Sequence, residues 1–102
     1  MVIMGAGDAG DFILREIRNN KDLSYDPIGF LDDDLRKVGG RMHGLPVLGT
    51  REEIPKIVQN KGVQEVIIAI PSASEAQLAG IRELCERSGI TYREVKKFLG
   101  IS

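Results

Sequence analysis

Gly5, Gly7 and Gly10 form the pattern GxGxxG within Gly5-Ala6-Gly7-Asp8-Ala9-Gly10, directly after the apolar Met1-Val2-Ile3-Met4. Between a strand and a helix, each glycine has a physical task. Gly5 permits the tight turn out of the strand, Gly7 leaves room for a pyrophosphate, and Gly10 allows close helix–strand packing. The unpaired N–H groups at the helix start, around Asp8 and Ala9, then face the phosphates. Asp32 lies 22 residues after Gly10, at the end of a second apolar run. There an acidic residue accepts hydrogen bonds from ribose hydroxyls. Asp33 and Asp34 follow it into an acidic turn. A metal site is disfavoured, because consecutive side chains of an extended segment point to opposite faces. Pro71, Ser72 and Ser74 leave the clearest strand, Glu65 to Ile70, and face the glycine turn across the expected crevice. The expected nucleotide contacts are therefore Gly5, Gly7, Asp8, Ala9, Gly10, Asp32, Asp33, Pro71, Ser72 and Ser74.

Four further residues are assigned no chemistry. Cys85 falls on an apolar helical stripe and reads as a small core residue. His43, the sole histidine, has no carboxylate or second histidine at ligand spacing. Tyr92 and Lys96 match the YxxxK dyad of short-chain dehydrogenases, in which the lysine lowers the tyrosine pKa. The segment reads as a strand, which would separate their Cα atoms by about 13 Å.

The elements that must position these residues alternate. A helix is expected from Ala9 to Asn20, with Phe12, Ile13 and Ile17 inward and Asp8 as N-cap. Pro27 to Leu31 is the second strand, Leu35 to Pro46 a basic glycine-containing loop, and Pro46 to Gly49 the third strand. Thr50 and Glu53 form a capping box, and Pro55 divides the helix that ends at Lys61-Gly62. Val66-Ile67-Ile68-Ala69-Ile70 is apolar on both faces, the mark of a strand covered on each side. Ser74 and Gln77 form another capping box, opening a helix to Ser88 with Leu78, Ile81, Leu84 and Cys85 inward. Ile90 to Val95 is the last strand. This alternation predicts an α/β Rossmann-like three-layer sandwich with a five-stranded parallel sheet in the order 3-2-1-4-5.

The 102 residues suit one domain. A net charge of −1 provides no electrostatic basis for nucleic acid or acidic membranes as partners. The longest apolar run is far too short for direct membrane insertion. A single cysteine excludes an internal disulfide and fits a reducing compartment. Residue 1 already lies in the first strand and Phe98–Ser102 trails off without a stop, so residues 1–102 are expected to be one domain of a longer protein.

Four motifs in series carry a family resemblance: Gly5–Gly10, Gly29-Phe30-Leu31-Asp32-Asp33-Asp34, Gly44-Leu45-Pro46-Val47-Leu48-Gly49, and Val66–Ala73. In this order and spacing they resemble the nucleotide-binding domain of CapD-type polysaccharide biosynthesis proteins, membrane-anchored nucleoside-diphosphate-sugar 4,6-dehydratases and epimerases. The resemblance covers essentially the whole chain. It implies a non-catalytic module, cytoplasmic or at the cytoplasmic face of the inner membrane. The module would be followed in its parent by a second, catalytic Rossmann domain, and its ligand would be NAD or another nucleotide such as a UDP-sugar. Two alternatives stay open. The glycan acetyltransferase N-terminal domain, which binds a UDP-sugar, is similar through GFLDDD and PVLG. A CoA-binding or redox-sensing Rossmann module fits the fold. Asp32 predicts a preference for a free ribose 2′-hydroxyl, while Arg36, Lys37 and Arg41 just downstream act in the opposite sense.

Overall fold

The computed structural model describes residues 1–95. Its centre is β1 (Val2–Met4), wholly buried and paired in parallel on both sides. Strand β2 (Gly29–Leu31) lies on one side and β5 (Glu65–Ile68) on the other. Helix α1 (Asp8–Asn19) makes the crossover from β1 to β2. Beyond β2 comes β4 (Leu45–Gly49), and beyond β5 comes β6 (Thr91–Glu94), both in parallel pairing. Helix α2 (Ile54–Lys61) and helix α3 (Glu75–Arg87) connect β4 to β5 and β5 to β6.

The expected parallel order is thus present as β4-β2-β1-β5-β6, but the five-strand expectation needs correcting. A sixth strand, β3 (Arg41–Met42), pairs antiparallel with β4 at the sheet edge and completes the order β3-β4-β2-β1-β5-β6. The stretch around it was expected to be loop. Its hairpin turns on His43 and Gly44, whose φ angles of 51° and 85° are both positive. A two-residue hairpin turn of type I′ needs that geometry at both positions, and Asn-Gly is its usual signal. His-Gly conceals it.

Two apolar layers flank the sheet. Val2, Met4, Leu31, Val66 and Ile68 face α2 and α3 through Ile54, Ile57, Ile81 and Cys85. Ile3, Phe30 and Val47 face the α1 side through Ala9 and Leu14. Helix α1 buries Ala9, Gly10, Leu14 and Ile17, so Leu14 takes the central place that the periodicity gave to Phe12 and Ile13. Burying Leu14 and Ile17 stabilises the fold by roughly 1.5–3 kcal/mol each.

The helix starts follow three routes. Ser74 and Gln77 form the complete capping box of α3, at 3.1 and 2.8 Å. Thr50 opens a short 3-10 helix (Arg51–Glu53), its hydroxyl accepting from the Glu52 N–H. The reciprocal Glu53 bond of the expected box is replaced by that turn. Pro55 then sits in the first turn of α2, which tolerates its missing N–H, and Gly62 closes the helix at φ 66°. Gly7, not Asp8, is the N-cap of α1, and no side chain caps it.

Candidate functional site

Strand order reverses at β1, whose connection leads one way to β2 while the chain later returns on its other side as β5. Crossovers of one hand then require opposite faces, so the loops after β1 and β5 diverge and leave a crevice at the carboxyl edge. A cavity of about 500 Å³ occupies that crevice. Gly5, Gly7, Asp8 and Ala9 form one wall, Ala69 to Ala73 the opposite wall, and Asp32, Asp33, Lys37, Arg51 and Gln77 the remainder.

The glycines divide as the motif requires. Gly5 has φ 123°, and a Cβ there would stand 2.4 Å from the Ala69 carbonyl oxygen. At Gly10 a Cβ would come within 1.9 Å of the Gly5 carbonyl oxygen, so this residue seats α1 and does not line the cavity. A Cβ at Gly7 meets no atom within 4 Å, and its φ of −109° suits any residue. Gly7 is the open approach to the start of α1.

Asp32 builds the turn as well as bordering the cavity. Its Oδ2 accepts from the Ala6 N–H at 2.8 Å and its Oδ1 from the Asp34 N–H at 2.8 Å. Lys37 folds back over it, donating to the Ala6 carbonyl at 3.2 Å with its Nζ 3.8 Å from Asp32 Oδ2. Asp34 is paired with Arg36, whose hydrogen bonds hold its carboxyl below the usual range. Asp33 accepts from the Arg51 Nε at 2.9 Å, the Arg51 backbone N–H at 3.2 Å, and Arg51 Nη2. Burial pushes the Asp33 carboxyl up, but its bonds to Arg51 outweigh that and hold it below the ordinary carboxylate value.

The structure gathers eight of the ten expected site residues around the cavity, leaving out Gly10 and Ser74. Ser74 faces its own helix, its hydroxyl accepting from the Gln77 N–H. Sequence reasoning missed Arg51 and Gln77. The available signal for Arg51 was its position just after Gly49-Thr50, at the same carboxyl edge as Asp32. Elsewhere, His43 Nε2 meets the Asp11 carboxylate, a partner that spacing did not reveal. Tyr92 lies on β6 and donates to Glu86 at 2.8 Å, while Lys96 and Phe98–Ser102 lie outside the described residues. Cys85 is fully buried, and burial raises its thiol pKa to about 11. Among the described residues, no group of three His, Cys, Asp or Glu side chains is placed to hold a metal. No helix there is long and apolar enough to cross a membrane.

A mostly parallel sheet that reverses beside a glycine turn, with an open crevice at that point, defines a Rossmann-like nucleotide-binding domain. The chain belongs to the CoA-binding domain family, whose model matches residues 1–95. It is 33% identical over 97 residues to the probable polysaccharide biosynthesis protein EpsC of Bacillus subtilis (strain 168), covering 95% of this chain and 16% of that protein. It is 31% identical over 90 residues to the capsular polysaccharide biosynthesis protein CapD of Staphylococcus aureus, covering 87% and 15%. The chain therefore spans about one sixth of the length of these relatives, and the CapD-type resemblance read from the four motifs holds. Among solved structures, UDP-D-quinovosamine 4-dehydrogenase from Vibrio fischeri superposes with a TM-score of 0.81 at 26% identity, over 97% of this chain and 81% of that one. The Rex-family repressor RSP, solved with β-NADH, shares the fold with a TM-score of 0.72 at 20% identity, over 92% and 52%.

Proposed function

We propose that this domain binds a nucleotide at the Gly5–Gly10 turn and serves as a non-catalytic module of a nucleoside-diphosphate-sugar dehydratase or epimerase in polysaccharide biosynthesis. The observation that carries the reading is the bare Gly7 surface at the start of α1, opening into the cavity at the strand-order reversal. A phosphate there receives the unpaired N–H groups of the first turn. The Asp32 oxygens each accept one protein N–H and retain a lone pair for a ribose hydroxyl. NAD is the ligand of first choice and a UDP-sugar the second.

The preference for a free 2′-hydroxyl rests on Asp32 alone. Lys37, Arg51 and Arg36 each stand beside one of the three carboxylates, which weakens the repulsion of an added phosphate. The partners are the nucleotide and a catalytic domain of the parent chain. In this reading residues 1–102 are a single domain of that parent, on the cytoplasmic side and at the membrane face where the parent carries transmembrane helices. Similarity to EpsC and CapD supports it.

Titration calorimetry with NADH, NADPH, UDP-N-acetylglucosamine and CoA tests it, on wild type and Gly7→Val. The variant is expected to fold, since space and φ both accommodate a side chain, and to lose the ligand. A folded Gly7→Val protein that binds as well as wild type places the site elsewhere. Binding of CoA alone replaces the dehydratase-module reading with that of a CoA-binding domain.

A further inference from the structure

Three carboxylates (Asp8, Asp32 and Asp33) line the cavity against two cations, Lys37 and Arg51. An anionic ligand therefore needs more than the start of α1 to hold it. Lys37 is engaged with Ala6 and Asp32. Arg51 is held differently. Its Nε and Nη2 bond Asp33 at the end of β2, and its Nη1 donates to the Gln77 carbonyl in the first turn of α3 at 3.0 Å. Those three bonds leave two of the five guanidinium N–H groups for a ligand. With its side chain only 19% exposed, the group is fixed before any ligand arrives.

A glycine makes room for it. Gly80 lies inside α3, where glycine is less favourable than alanine because its backbone loses more conformational freedom. A Cβ at that position would stand 2.9 Å from Arg51 Nη1. We propose that Arg51 is the anion-recognising residue of the crevice, taking the diphosphate of the bound nucleotide, and that Gly80 positions it by leaving its berth open. The inference rests on the nucleotide reading above. It adds a named contact outside the glycine-turn wall and a reason for a helix-interior glycine. Asp33 remains bonded to one edge of the guanidinium while the free N–H groups meet the phosphate oxygens. Arginine suits this role because its planar fork serves two acceptors at once.

Side-chain ¹⁵N NMR of the arginine Nε–H groups, with Arg51→Gln to assign the Arg51 signal, tests the proposal. The probes are NADH, UDP-N-acetylglucosamine, inorganic pyrophosphate and adenosine. The Arg51 signal is expected to shift with pyrophosphate and with whichever nucleotide binds, and to stay still with adenosine. Gly80→Ala should move that signal before any ligand is added, because the new methyl displaces Nη1. Its thermal stability should change little, because the gain of alanine over glycine inside the helix offsets the weakened Arg51–Gln77 bond. Loss of one charge-assisted contact should weaken nucleotide binding about tenfold in Arg51→Gln, with Gly80→Ala changing in the same direction. Nucleotide binding that leaves the Arg51 signal unmoved and both variants unaffected overturns this proposal and spares the nucleotide reading. A pyrophosphate response with neither nucleotide bound overturns the nucleotide reading and the assignment of Arg51 to a nucleotide diphosphate with it, leaving Arg51 as a contact for inorganic anions alone. Silence toward NADH, UDP-N-acetylglucosamine and pyrophosphate overturns both.

Discussion

Asp32 shows how one side chain can serve both the fold and the site. Its two oxygens satisfy the N–H groups of Ala6 and Asp34, so the carboxylate ties the glycine turn to the end of β2. Asp32→Asn would present an amide N–H₂ to one of those donors. A loss of about 1–3 kcal/mol is expected, as for a buried donor left unpaired, and is read from urea unfolding. A variant of unchanged stability would show that water replaces the bond. This dual role also means that Asp32→Asn does not isolate a ribose contact, and the affinity ratio of NADH to NADPH on the wild-type protein is the cleaner measure. Asp33 makes a pH-dependent contribution. Its folded pKa lies below the unfolded value, so its bond to Arg51 stabilises the protein above about pH 4 and is lost as the pH falls through the folded pKa. The stability gap between wild type and Asp33→Asn should be constant above about pH 5 and close in more acid solution. A gap persisting at about pH 2 would assign the effect to packing rather than charge.

At the scale of the element, the glycine turn, the capping boxes and the strand patterns differ in how openly they signal. Ser74 and Gln77 are legible because both halves of a capping box lie within one turn, and its bonds need nothing from elsewhere in the chain. Ser74→Ala should therefore cost about 1 kcal/mol, seen as a lower urea midpoint with an unchanged slope. A change in slope would instead signal a more broadly loosened native state. Thr50 and Glu53 carry the same signature and give a 3-10 turn, because Pro55 follows within the first turn of α2 and Glu53 packs over Gly49. The β3–β4 hairpin was illegible for another reason. Two residues of strand have no period to read, and the turn depends on His43 accepting φ 51°, a conformation histidine adopts more readily than most residues.

For the whole molecule, the core that joins the layers also reports on its integrity. Cys85 packs at the junction of α3 with the sheet, fully buried and with its thiol pKa raised to about 11. Folded protein at about pH 8 should resist a thiol reagent, with labelling appearing only as urea unfolds the chain. Labelling well before the unfolding midpoint would reveal local opening of α3. The raised thiol pKa also sets an alkaline limit. Its contribution is full below the unfolded value of about 8.5 and declines as the pH rises toward 11. The sequence by itself determined the alternation of elements, the parallel order of five strands, the glycine turn and the acidic end of β2. The glycine turn, the acidic strand end and the elements follow from local patterns, a spacing of glycines or an apolar run, and the strand order from that alternation together with the fixed hand of parallel crossovers. Tertiary structure alone decided the antiparallel edge strand, the pairing of Asp33 with Arg51, and the entry of Arg51 and Gln77 into the site. The last two depend on which distant segments the crossovers bring to one sheet edge. The Arg51–Asp33 pair spans 18 residues and the Arg51–Gln77 bond spans 26, separations at which chain direction and not local spacing determines what meets.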